Sequence, residues 1–186
     1  MIMKIQDKHL FERAKSRLQA ITDGPYNLQV SLVRQKGWQV GVLEGADYFR
    51  PDRARMFADA VHAIGCSEID VIPTEDLNPP VFFIECDAEQ QDFLDLRKTY
   101  PLALALLPIE LQFAALLTPD YHLFAGSKEF VERAVGGTAL AAYERMFTMF
   151  CAPDVDAAIR KAYSDIARYR EFAEILPGGT SPDDLV

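Results

Sequence analysis

Twice in this chain, two short runs of alternating or wholly apolar residues are joined by a polar, turn-forming link. No other feature constrains the fold as much. Leu28, Val30 and Leu32 lead into Gln35-Lys36-Gly37, and Trp38, Val40 and Val42 follow. Residues 111–117 lead into Thr118-Pro119-Asp120, and Tyr121-His122-Leu123-Phe124 follows. A period of two puts alternate side chains on one face of a strand, and links this short are hairpin loops. Hairpins pair antiparallel, so the pattern predicts an antiparallel or mixed sheet.

Helical patterns separate these runs. Residues 7–21 place Leu10, Phe11, Ala14, Leu18 and Ile21 on one face, with Asp7 as cap. Pro51 suits a first helical turn, ahead of Met56, Phe57, Ala60, Val61 and Ile64, with Gly65 as terminator. Asp87 and Gln90 have capping-box spacing for a helix over roughly 88–98, along which Phe93, Leu96 and Tyr100 share a side. Ser127 caps a further helix, which Gly136-Gly137 breaks. Thr138 caps the next, to about Cys151. Pro153 opens a last helix to about Leu176, with Val155, Ile159, Ala162, Tyr163, Ile166, Ala173 and Leu176 as its stripe. A strand over 69–72 and the apolar run Val81-Phe82-Phe83-Ile84 complete the elements.

The expected fold is α+β: a mixed or antiparallel sheet of about five to six strands, including both hairpins, covered by helices. Segments 28–33, 38–43, 81–86, 111–117 and 121–125 are expected to share it. A C-terminal helical pair over 138–176 completes a single domain over 1–176, and 177–186 is expected to be a disordered tail. With 186 residues, 49% of them hydrophobic, the chain can bury a core without disulfides or metal.

No apolar run approaches the roughly 20 residues of a membrane helix; the longest, Leu102 to Leu107, stops at Pro108. The N-terminal residues lack a signal-peptide apolar region. Cys66, Cys86 and Cys151 are odd in number and widely spaced, unlike a disulfide framework. A cytoplasmic protein with no membrane partner is expected.

The net charge of −9 is unevenly spread. Residues 1–55 carry ten Lys/Arg and six acids, whereas 56–96 carry ten acids and no Lys or Arg. Phosphate binding needs clustered basic residues, so this distribution argues against a nucleic-acid partner. It points to a basic protein partner, since opposite charge steers encounter. The acids expected to form the binding surface are Glu75 and Asp76, in a proline-rich loop, and Glu89, Asp92 and Asp95, at three-residue spacing on the 88–98 helix. Arg97, Arg50, Arg53 and Arg55 folding back to neutralise them is the competing outcome.

Catalytic and cofactor motifs are weak. Gly41 and Gly45 lack dinucleotide-fingerprint spacing, and no Gly-Lys-Ser/Thr occurs. His62 and Cys66 have no second ligand pair, so no metal and no cofactor is expected. Cys86 lies between Glu85 and Asp87, which oppose a thiolate. Asp120, Tyr121 and His122 read more simply as a turn leading into a strand. Arg50, Arg53 and Arg55 flank a helix start and read as a solvated face rather than an anion site. Over 138–151, Leu140, Tyr143, Met146, Phe147, Met149 and Phe150 leave little polar surface. Met146, Phe147 and Phe150 are therefore a candidate interface, through which a homodimer would form.

The profile of a small, acidic α+β chain without a catalytic constellation resembles that of bacterial immunity proteins. It is also similar to type III secretion chaperones, although a helix here interrupts the early strands. The resemblance is one of size, charge and element order and rests on no motif. It implies a non-catalytic protein-binding role, toxin neutralisation being its most specific form. The alternatives are a small enzyme or ligand-binding domain with a pocket near His122, Glu85 and the Arg50–Arg55 helix, or a structural or assembly subunit built on 138–151.

Overall fold

The structure is a computed structural model, and it describes residues 2–5, 7–45, 49–75, 83–100, 103–150 and 164–174. Among the described residues seven strands form one antiparallel sheet: β1 (Ile2–Ile5), β2 (Gln39–Glu44), β3 (Glu68–Pro73), β4 (Phe83–Asp87), β5 (Leu104–Leu107), β6 (Phe113–Leu117) and β7 (Tyr121–Gly126). Their spatial order is β1-β4-β3-β5-β6-β7-β2. The helices described in full are α1 (Lys8–Ile21), α2 (Val30–Lys36), α3 (Pro51–Ala63), α4 (Gln90–Thr99), α5 (Lys128–Val135) and α6 (Ala139–Phe150). This is the expected α+β class with a C-terminal helical part.

The caps follow local chemistry. Asp7 Oδ1 accepts from the N–H groups of His9 and Leu10 at 2.9 and 3.0 Å. Ser127 Oγ accepts from Phe130 N–H, and Thr138 Oγ1 from Ala141 N–H, each at 3.2 Å. These side chains satisfy donors that a helix start leaves without an internal partner.

The register assigns each strand residue to one of two faces, because directly paired residues of an antiparallel ladder point the same way. The inner face carries Phe113, Phe124, Leu106, Val71 and Ile84. Helices α3, α4 and α5 cover it through an aromatic cluster centred on Phe57, whose ring lies 4.7 Å from Phe93, 5.4 Å from Phe124 and 6.2 Å from Phe130. Gly41 admits α5 against β2: a Cβ there would stand 2.7 Å from Val131 and Val135 methyls. The outer face carries Tyr121, Leu116, Leu107, Ile72, Asp70, Glu85 and Met3. Ala14, Leu18 and Ile21 of α1 are buried, and Arg17 of α1 reaches Asp70 on the outer face. Tyr121 donates its hydroxyl to Tyr26 O at 2.9 Å, and Tyr169 to Leu28 O at 2.7 Å, which pins the 22–29 segment over the outer face.

Three expectations are corrected. Residues 28–33 do not form a hairpin strand; Val30–Lys36 is helix α2, and β2 pairs instead with β7. The link glycine is its C-cap: Gly37 sits at φ 61, its N–H bonds Arg34 O at 3.1 Å, and Trp38 N–H bonds Val33 O at 3.0 Å. A glycine in left-handed conformation closes a helix as readily as it turns a hairpin, and three alternating residues do not separate the two. The other four expected segments do share the sheet. The Asp87–Gln90 capping box does not form, because Asp87 pairs with Glu68 in the ladder and Gln90 Nε2 donates to Pro51 O at 3.0 Å. The last helix does not run unbroken: after a helical turn at 164–167 the chain tightens into a 3₁₀ turn, Arg170–Phe172. Its expected start, and the 177–186 tail, lie outside the described residues. Strands β1 and β5 were not foreseen.

Candidate functional site

The five acids singled out from the sequence do not form one surface. Glu75 is half-buried and its carboxylate accepts the Tyr26 hydroxyl, a bond that pushes the Tyr26 pKa up. Asp76 lies outside the described residues. Glu89 and Asp95 are exposed; Glu89 Oε1 stands 3.8 Å from His62 Nε2, and Asp95 Oδ1 accepts from Gln91 Nε2 at 2.9 Å. Asp92 is only 9% exposed and does not join them. At about 100° per residue, position 92 falls only about 40° from Leu96 around α4, on the flank that packs inward. No arginine ion-pairs with Glu75, Glu89 or Asp95 among the described residues, so the competing outcome, neutralisation by arginines, is not seen at these three.

The structure brings together a different set. Glu68 pairs directly with Asp87, and Asp70 with Glu85, across β3 and β4 on the outer face. Glu68, Glu85 and Asp87 are exposed, and with Met3 and Ile109 they line a groove of about 220 Å³. Met3 is 45% and Ile109 64% exposed, so the groove is acidic with an apolar rim. Among the described residues the helical cover stops at this point: α1 lies over β3, and Arg17 pairs with Asp70 while donating to the carbonyls of Pro108 and Ile109. Glu68 and Glu85 have no ion-pair partner among the described residues. Like charges set directly opposite each other on a sheet cost stability. The sequence held the signal in Glu68-x-Asp70 and Glu85-x-Asp87, acids at strand spacing beside buried Ile69, Val71, Ile84 and Cys86.

The catalytic candidates disperse. His122 is buried on the inner face, its ring edge-on to Phe49 at 5.1 Å, whereas Tyr121 points to the outer face and Asp120 to solvent. Glu85 is four strand steps from β7, about 19 Å, and on the opposite face, so His122 and Glu85 share no pocket. Burial, then the nearby Asp92 carboxylate, push the Cys86 thiol up to about 12, the reverse of nucleophile activation. Cys66 donates weakly to Glu68 O at 3.3 Å, and no group of three or more His, Cys, Asp or Glu among the described residues could hold a metal. Arg50 pairs with Asp52 at 3.4 Å; burial and then Arg50 lower the Arg53 pKa.

Helix α6 buries one side and exposes Glu144, Arg145 and Thr148 on the other. Met146, expected at an interface, is 3% exposed and belongs to the core with Ala139, Ala142 and Tyr143 where α6 packs on β2. Phe147 and Met149 face outward, and the Phe150 side chain lies outside the described residues. No helix among the described residues is long and apolar enough to cross a membrane. Comparison with protein-family models, curated proteins and solved structures found no match.

Proposed function

We propose that this chain is a non-catalytic binding protein whose acidic surface takes a basic protein partner, with toxin neutralisation by an immunity protein as the most specific form. The observation that carries the reading is the outer face of β3 and β4. There the exposed carboxylates of Glu68, Glu85 and Asp87 stand side by side, and Glu68 and Glu85 are without a basic counterpart among the described residues. Exposed carboxylates of this kind attract a cationic partner and steer its encounter. Cys66 and Cys86 are free and buried, which suits a reducing, cytoplasmic setting.

The test compares the wild-type chain with the Glu68→Lys, Glu85→Lys, Asp87→Lys variant as baits in a quantitative pull-down, followed by binding kinetics on recovered proteins. Basic proteins retained by the wild type and lost by the variant support the reading. With such a partner, the association rate at low salt falls several-fold in the variant and loses its salt dependence. Recovery of the same proteins by both baits overturns it.

A further inference from the structure

The part of the outer face that no helix among the described residues covers has the width of one helix. Strands lie about 4.8 Å apart, so β4 and β1 together present about 10 Å, the diameter of an α-helix. A sheet face is ordinarily covered by a helix or another sheet. On this sheet α1 takes the neighbouring position over β3, no other helix among the described residues lies beyond it, and Met3, Glu85 and Asp87 are exposed.

We infer that this face seats one amphipathic α-helix of the basic partner, laid beside α1, with its Lys/Arg stripe over Glu68, Glu85 and Asp87 and its apolar residues on Met3 and Ile109. The inference rests on the reading above that the partner is a basic protein, and adds the form in which it is presented. Charge complementarity selects the basic stripe, and the exposed Met3 and Ile109 side chains at the groove select the apolar one. Arg17 of α1 shows the geometry from within the chain: a guanidinium carried on a helix over this face reaches the Asp70 carboxylate and the carbonyls of the Pro108–Ile109 turn. An extended segment pairing with the outer edge of β1 fits less well. It would lie two strand steps from Glu85 and three from Glu68, about 10 and 14 Å, and the second distance exceeds the reach of an arginine side chain.

The experiment uses the full chain and two synthetic peptides of about 18 residues, long enough for a stable peptide helix. One carries leucines at helical spacing flanked by arginines. The other has the same sequence except that two central uncharged positions are proline. Binding is read by fluorescence anisotropy at low and high salt, for the wild type and two variants: Glu85→Lys with Asp87→Lys, and Glu89→Lys with Asp95→Lys. Circular dichroism verifies that both variants are folded. The expected result is that the helical peptide binds at least about tenfold more tightly than the proline peptide, and that the β4 variant loses this binding while the α4 variant keeps it within about twofold. Equal binding of both peptides, or loss in the α4 variant alone, overturns the helical seat while leaving an acidic binding surface. No binding of either peptide at low salt, or binding that ignores both variants and salt, overturns the seat and the acidic-surface reading together.

Discussion

Arg17 engages the outer-face carboxylate of Asp70, and its removal should show how the patch is balanced. In Arg17→Ala the helix α1 keeps a good helix former, so the cost comes from lost contacts rather than propensity. The Arg17–Asp70 pair is mostly buried, with side-chain exposures of 21% and 13%. A hydrogen bond to a charged group contributes about 1.5–3 kcal/mol, and of the two carbonyls released only that of exposed Ile109 regains water readily. The expected loss is about 2–3 kcal/mol, or roughly 4–12 °C in Tm for a chain of this size. The variant also leaves Asp70 facing Glu85 with its charge no longer offset. Two charges about 5.5 Å apart repel by about 0.7 kcal/mol in water and about 3 kcal/mol at an effective dielectric constant of 20; the exposure of Glu85 puts the value near 1 kcal/mol. Glu85→Gln should therefore change the wild type by less than about 0.3 kcal/mol, yet recover about 1 kcal/mol in the Arg17→Ala background, with the coupling shrinking as salt is added. Urea unfolding followed by fluorescence reports this cleanly, because Trp38 is the single tryptophan and is buried. A loss below about 0.5 kcal/mol for Arg17→Ala, or an identical effect of Glu85→Gln in both backgrounds, would refute the reasoning.

Phe57→Ala should cost about 3–5 kcal/mol, since its ring is fully buried among five aromatic neighbours; a urea midpoint near wild type would contradict the central place given to it. Asp92→Lys should lower stability by on the order of 2–4 kcal/mol by placing a cation at a buried site, while Asp95→Lys at an exposed site should stay within about 0.5 kcal/mol; matched melting curves for the two would show that α4 faces otherwise. Alkaline stability should fall early. The Cys86 thiol is raised from 9.0 to about 12, so its contribution is complete below pH 9 and is lost as pH rises towards 12, at about 1.4 kcal/mol per pH unit. Burial raises Tyr121 and Tyr169 as well, and they join above pH 10. Between pH 9 and 10 the urea midpoint of Cys86→Ala should therefore fall less steeply than that of the wild type, and parallel slopes would count against a buried thiol.

The sequence by itself determined the elements whose signals are local. Asp7, Ser127 and Thr138 announced helix starts because a cap is made by one side chain and the backbone two or three residues on. The 113–126 hairpin was legible because its strands pair across a tight turn. Where a signal was local but shared by two structures, reading failed: Gly37 suits a hairpin turn and a helix C-cap equally, and only the pairing of β2 with β7, some 80 residues on, decides between them. Strand β5 was hidden because all four of its residues are buried, which removes the alternation that marks a strand with one wet face. The acidic excess of residues 56–96 was likewise plain in the sequence, but its arrangement was not. Three-residue spacing on α4 suggested one face, yet rotation about the helix turned Asp92 inward, while Glu68 and Glu85, 17 positions apart, met on one sheet face through β3–β4 pairing. Charge totals belong to the chain. Which carboxylates share a surface is set by strand register and by where the covering helices end, and both depend on contacts between residues distant in sequence.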